Sequence, residues 1–337
     1  MGNSTKDDRV DPYGLCPCGK SKEARFCCLI QGGWNKEPVS TETSEESSHS
    51  NPKCFAGQMM GCSKKISREH SVSASVLRLL GEDGFIEVSG LKFLGEKSAK
   101  LPISQLTTKR LCRAHNTALS GLDSEAARFL GCIIQATETD DDFFTLFAGE
   151  DIERWLAKTT LGSFAGGQLQ FRTAEGKSEK LELEIPDELV ECLFGKMAWP
   201  KGWGLYYLGG QSPNLKSLVI KPWIEEQRLM GVLFRIASTE WLLSLSSDGA
   251  DEFERNLGGG EALKSGTGMR RPGRLTFVKE SKRKVIHLTW QDSEDHRWLD
   301  LVFSPADMPE PKEQAYEGSM GLAASKNSVD IARHPPA

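Results

Sequence analysis

Apolar residues recur at helical spacing in four stretches of this chain. In 71–80, Val72, Val76, Leu79 and Leu80 share one face, and Gly81 follows as a stop. Asp123 is placed to cap a second helix whose stripe is Ala126, Phe129, Leu130, Ile133 and Ile134. Asp151 opens a third over 152–164, closed by Gly166 and Gly167, and Pro186 with Asp187 opens a short fourth through Val190, Leu193 and Phe194. Strand-like runs dominate the remainder. A hairpin over 168–173 and 179–185 is predicted around Glu175 and Gly176, with further strands at 204–208, 215–221, 231–237 and 241–246. A meander of 274–279, 285–290 and 298–303 is expected around a basic turn at 282–284.

These elements predict an α+β chain, with small cysteine-rich modules ahead of mixed helices and antiparallel sheet. The organisation expected is a module at 1–33, a disordered linker at 34–52, a cysteine- and histidine-bearing domain at 53–137, an α+β domain at 138–304 and a disordered tail at 305–337. The linker assignment rests on the Ser/Thr/Glu run at 40–48 and on the lack of large apolar residues after Val39. Prolines and scattered glycines carry the tail assignment. The break near 138 follows the acidic run 140–142.

Composition narrows the function classes. The chain has 337 residues, 38% hydrophobic and 26% charged, and a formal net charge of -5, so it is not a general polyanion binder. No apolar run reaches the roughly 20 residues of a membrane span, and the first ten residues lack a signal-peptide core. A cytoplasmic protein without a membrane partner is expected. Nine cysteines, an odd count without a secretory signal, argue for metal ligands rather than a disulfide framework. Cys132 and Cys192 fall inside apolar helical patterns and read as core residues.

Cys16, Cys18, Cys27 and Cys28 place four thiols within thirteen residues. Two close pairs joined by a short turn can wrap one Zn2+, which prefers four soft ligands in a tetrahedron. Folding and metal binding would then be one event. The run Cys16-Pro-Cys-Gly-Lys-Ser-Lys-Glu-Ala-Arg-Phe-Cys-Cys28 resembles the SEC-C motif, the zinc-binding module at the end of the bacterial SecA translocase. Lys20-Ser21 stands where that motif usually has Ser-Gly. The resemblance implies zinc and a surface for a protein or ribosome partner, without catalysis.

Cys54, Cys62, Cys112 and His115 form a second zinc-type set bracketing Glu69-His70. Cys112 and His115, three residues apart, can face one way on the first turn of a helix. The arrangement resembles the HNH, or ββα-metal, nucleases. That resemblance implies His70 as general base, Glu69 as ligand of a catalytic Mg2+ or Mn2+, Asn116 beside that ion, and DNA or RNA as substrate. A neutral imidazole near its ordinary pKa of about 6.5 suits proton abstraction from water. The chain departs from the pattern at Thr107 and Thr108, near which the family has its middle asparagine. His70 as an alternative zinc ligand and Asn116 as a turn-stabilising residue are the competing assignments.

Charge is unevenly distributed. From Lys53 to Asn116 there are eleven Lys or Arg against five Asp or Glu, whereas after Ala136 there are 24 against 32. Phosphate contact at Lys64, Lys65, Arg68, Lys109 and Arg110 is one reading, and a solvated surface is the other. In the C-terminal half, the aromatic residues of 199–207, Trp223 and Trp241 read as core rather than pocket lining. The basic residues from Arg270 to Lys284 either touch an acidic partner or protect a sheet edge. Two function classes follow: a divalent-metal-dependent nuclease, or a non-catalytic zinc-stabilised adaptor with a degenerate ββα unit and a partner-binding C-terminal domain.

Overall fold

The computed structural model describes residues 11–30, 33–43, 48–91, 94, 97–139, 141–167, 171–172, 178–179, 185–209, 216–237, 239–249, 269–279, 282–291 and 319–321. Mixed helices and mainly antiparallel sheets form an α+β fold, with both cysteine clusters near the N-terminus. Five α-helices lie among the described residues: α1 (Ala74–Leu80), α2 (Arg113–Ala118), α3 (Ser120–Glu138), α4 (Gly149–Ala165) and α5 (Glu188–Leu193).

The stripe of α3 buries as its spacing predicts. Ala126, Phe129, Leu130, Ile133 and Ile134 of α3 all enter the core. In α1 the buried set is Val76, Leu77 and Leu80, while Leu79 is exposed, so the apolar face is rotated from the one expected. Gly81 ends α1 and Gly166 ends α4, as the sequence suggests.

The largest sheet has the order β14 (Met269–Arg270), β10 (Gly204–Gly209), β13 (Thr239–Ser244), β12 (Arg228–Ile236), β11 (Leu218–Glu225), β17 (Ser319–Gly321), β4 (Phe85–Ser89) and β5 (Ala99–Pro102). Two-stranded pairs are β1 (Leu29–Ile30) with β2 (Gly33–Trp34), β3 (Glu69–His70) with β6 (Thr107–Thr108), and β8 (Phe171–Arg172) with β9 (Ser178–Glu179). A third sheet has the order β15 (Arg274–Lys279), β16 (Lys282–Thr289) and β7 (Phe143–Ala148).

That third sheet corrects the expected meander. Its third strand is β7, running parallel to β16 with Lys284 opposite Phe143 and Thr289 opposite Ala148. The run 298–303 lies outside the described residues. A parallel strand covered on both faces is continuously apolar, so Phe143–Ala148 shows no alternation to mark it. The basic turn is corrected too: Lys282, Arg283 and Lys284 belong to β16, and the Lys284 side chain is fully buried, with its ammonium on the carbonyls of Ala136 and Thr139.

Part of the segment expected as a linker is packed. Lys36 is buried, its ammonium 3.2 Å from Asp151 and 3.3 Å from Glu125. Val39 N–H donates to Asp151 at 2.9 Å, and the Thr41 hydroxyl donates to the Phe194 carbonyl at 3.0 Å. Composition missed this because the anchors are polar and their partners lie about ninety residues or more away. Within the expected tail, Ser319–Gly321 pairs between β11 and β4.

Helix α4 runs through the middle of these contacts. It buries Glu150, Asp151, Glu153 and Lys158, an expensive set of charges unless each is paired. Asp151 takes Lys36, and Glu153 takes Arg271 in a two-point contact at 3.1 and 3.0 Å plus the Leu205 N–H at 2.8 Å. Lys158 reaches back to Glu69 and Asp123. The aromatic residues pack as core: Trp241 is fully buried against Tyr207 and Phe129 at ring distances of 5.0 and 5.9 Å. No helix among the described residues is long and apolar enough to cross a membrane.

Candidate metal centres

The first centre is built by one short stretch. Cys16 and Cys18 flank Pro17 in a turn closed by Gly19 N–H to the Cys16 carbonyl at 3.2 Å, and Gly19 has φ +84°, which favours glycine. The short helical turn Ala24–Phe26 returns the chain, and Cys27 and Cys28 both donate their N–H groups to the Ala24 carbonyl at 3.1 Å. Cys18 and Cys27 sulfurs are 3.5 Å apart, and those of Cys27 and Cys28 are 3.6 Å apart. Sulfurs around one tetrahedral zinc are about 3.8 Å apart, so the spacing fits. Cys16, Cys18 and Cys28 are buried, whereas Cys27 is half-buried.

The second centre is assembled from three separated segments. Cys54 sits ahead of the turn Gly57–Met59, Cys62 follows a left-handed pair at Met60 (φ 59°) and Gly61 (φ 67°), and Cys112 caps α2. His115, one turn into α2, directs Nδ1 at Cys54 and Cys62 at 3.6 Å each and at Cys112 at 3.3 Å. That leaves its other nitrogen for the hydrogen bond with the Met60 backbone, which fixes tautomer and ring orientation. Cys112 N–H donates to the Cys54 sulfur at 3.3 Å. All four ligands are buried, and the Phe194 ring packs edge-on against the His115 ring at 5.0 Å.

Electrostatics of both clusters agree with a positive ion. Burial pushes the Cys27 thiol up to about 11 and Cys54 up to about 12, and raises Cys28 and Cys62 as well. Burial acts against the charged forms of Cys18 and Cys112 too, but hydrogen bonds together outweigh it and lower both thiols: from the Lys20 backbone and the thiols of Cys16, Cys27 and Cys28 at Cys18, and from the His115 and Ser63 backbone, the Ser63 hydroxyl and the Cys62 thiol at Cys112. His115 is lowered by burial, which keeps it neutral and ligand-competent. Four buried sulfurs in one place, and three with an imidazole in the other, suit Zn2+, whose charge offsets the cost of burying thiolates. Among the described residues, these two sets are the groups of Cys, His, Asp and Glu side chains that could hold a metal ion.

The residues between the second centre's ligands have other partners. Strand β3 carries Glu69 and His70 and pairs antiparallel with β6, Glu69 opposite Thr108 and His70 opposite Thr107. Glu69 is buried and accepts from Lys158 at 2.7 Å and from the Asn116 side chain. Burial raises the Glu69 carboxyl, partly offset by Lys158. Lys158 also contacts both Asp123 oxygens at 2.8 and 2.7 Å, and Ser73 and Trp155 extend the network. His70 is half-buried, lowered chiefly by burial, and its Nε2 lies 3.1 Å from the Ile103 carbonyl. The structure thus joins Glu69 to Asn116 and directs His70 Nε2 to a backbone carbonyl.

Sequence reasoning did not find Lys158, Asp123 or Phe194 as parts of this neighbourhood. Lys158 had one available signal, a lysine directly after the apolar run Trp155, Leu156 and Ala157 of α4, all three of which are buried. Comparison of the chain with protein-family models, curated proteins and solved structures found no match.

Proposed function

We propose that the chain is a zinc-stabilised nucleic-acid-binding protein, with a SEC-C-like module at the first cluster and a non-catalytic ββα-type unit at the second. The observation that carries this reading is a set of seven exposed cations around the second centre: Lys53, Lys64, Lys65, Arg68, Lys109, Arg110 and Arg113. They sit on adjoining backbone segments, since Arg113 N–H donates to the Lys65 carbonyl, Ser67 N–H to Leu111 and Phe55 N–H to Arg110, each at 2.9 Å. None of the seven forms an ion pair among the described residues. Unpaired cations on a rigid scaffold neutralise phosphates and release counter-ions.

Two arguments favour binding without hydrolysis. Each cluster offers a full set of four protein ligands, the closed form of a structural zinc site. The carboxylate that would bind a catalytic Mg2+ or Mn2+, Glu69, is already neutralised by Lys158. Exposed Tyr13, Leu15, Phe26 and Ile30 beside the first cluster support a protein contact there.

Fluorescence anisotropy with labelled single-stranded DNA, duplex DNA and RNA tests the reading. Affinity should fall steeply with salt, and the double variant K65E/R113E should weaken binding and flatten the salt slope. Equal binding by wild type and variant rejects the surface.

A hydrolytic reading has one specific support, the chain order β3, β6, α2 with Asn116 bonded to Glu69. It requires cleavage of plasmid DNA or RNA with Mg2+ or Mn2+, abolished in His70→Ala. Cleavage that survives this substitution removes His70 as the base.

A further inference from the structure

The two clusters differ in how exposed their cysteine residues are, and that difference has a chemical consequence. Cys27 is half-buried, whereas Cys54, Cys62 and Cys112 are at most 5% exposed, and the second cluster is flanked by the Phe194 ring. We propose that Cys27 is a site of oxidation by hydroperoxides, resolved by Cys18, which releases the ion from the first cluster. The proposal rests on zinc occupying that cluster.

The Cys27 thiolate attacks the terminal peroxide oxygen, the O–O bond breaks, and the leaving hydroxide, or alkoxide from an organic hydroperoxide, takes a proton to become water or an alcohol; Cys27 is then a sulfenic acid. The Cys18 thiolate attacks that sulfur, an S–S bond forms, and the second hydroxide leaves and becomes water. Two thiolates lose two electrons, the peroxide is reduced, and solvent supplies the protons. Cys16 and Cys28 remain, too few to retain the ion at tetrahedral affinity.

Geometry selects Cys18 as the resolving thiol. It lies 3.5 Å from Cys27, sulfur to sulfur. Cys28 is nearly as near at 3.6 Å, but adjacent residues have Cα atoms about 3.8 Å apart, below the usual disulfide range.

A structural readout is built in. Pro17, between the first two ligands, accepts from Leu146 N–H of β7 at 3.2 Å and from the Thr145 hydroxyl at 3.3 Å. Among the described residues β7 is an edge strand, pairing with β16 on one side, and this carbonyl covers part of its other side. A Cys18–Cys27 bond displaces the turn that carries Pro17 and uncovers the Leu146 amide.

The experiment uses the full-length, zinc-loaded chain. Hydrogen peroxide is added with a chromogenic zinc chelator present, cysteine pairing is read by mass spectrometry, and amide exchange is followed at Leu146. Expected are release of about one zinc per chain, roughly tenfold faster than from the second centre, a Cys18–Cys27 link, and faster exchange at Leu146. Cys27→His keeps a zinc ligand but removes the oxidisable sulfur, and should slow release about tenfold. Release at the wild-type rate from Cys27→His, equal release from both centres, or a different cysteine pairing overturns the proposal. Protein holding less than two zinc ions before oxidant, with the first centre empty, overturns the zinc reading together with it; loss of nucleic-acid binding in K65E/R113E bears on neither.

Discussion

The first centre draws its four ligands from thirteen consecutive residues, whereas the second needs Cys54, Cys62 and the pair Cys112 and His115, joined only when β3, β6 and α2 are in place. The first is also set in its own small apolar cluster with Ala24 and Leu146. The second belongs to the main core, which runs from Cys54 to Trp290. Loop closure for a short wrap costs little, so a local site can form with its ion alone. A site spanning some sixty residues is inseparable from the fold that brings it together. The same kind of ligand set therefore stands in a chain-local cluster in one place and inside the main core in the other.

Ligand loss should separate the two most sharply. Cys112→Ser is expected to abolish the cooperative unfolding transition, because structural zinc contributes on the order of 10 kcal/mol to sites of this type. Cys18→Ser should leave the main transition in place and lose one zinc. Melts of both variants followed by circular dichroism, with zinc content measured in parallel, check this; similar melts would erase the distinction.

Next in size is the charge network behind β3. Lys158→Ala leaves Glu69 and Asp123 facing each other with Glu69 buried, and should cost about 3–5 kcal/mol in urea unfolding. A cost under about 1 kcal/mol would mean that water replaces the ammonium without penalty. Phe194→Ala, at a buried ring touching His115, should cost about 3 kcal/mol and speed zinc loss from the second centre only. Faster loss from the first centre as well would show that the two sites share one stability.

The smallest expected effect concerns pH at the start of α4. Burial lifts the Glu150 carboxyl from 4.5 to about 7. A raised carboxyl favours the folded state when protonated, so its contribution is present below pH 4.5 and is lost as pH rises through about 7. Glu150→Gln, neutral throughout, should flatten the stability profile between those values while leaving zinc content unchanged. A wild-type profile already flat in that window would remove Glu150 as the titrating group.

The local helical patterns were legible. The α3 stripe, the stops at Gly81 and Gly166, and the short helix after Asp187 follow from spacing and stop residues within a few turns, whereas Asp123 and Asp151, expected as caps, lie inside the first turns of α3 and α4. The candidate ligand sets were legible for a related reason: cysteines and histidines clustered at metal spacing are rare by chance. The β7–β16 pairing was not, because a parallel pair joins residues some 140 positions apart and its buried strand carries no alternation. Nor was the packed stretch around Lys36, whose order comes from Asp151 and Glu125 rather than from its own side chains.

The amino-acid sequence by itself determined which atoms can bind metal, which faces of α3 and α5 turn inward, and that the region around the second centre is basic. Those properties depend on residue type and short-range periodicity, and they survive any arrangement of the distant chain. Tertiary structure alone decided that Lys158 takes Glu69, that Phe194 packs against His115, and that Pro17 covers the edge of β7. A buried charge, ring or carbonyl must find its partner among whatever the closed core brings within reach, and that set exists only once the whole chain has packed.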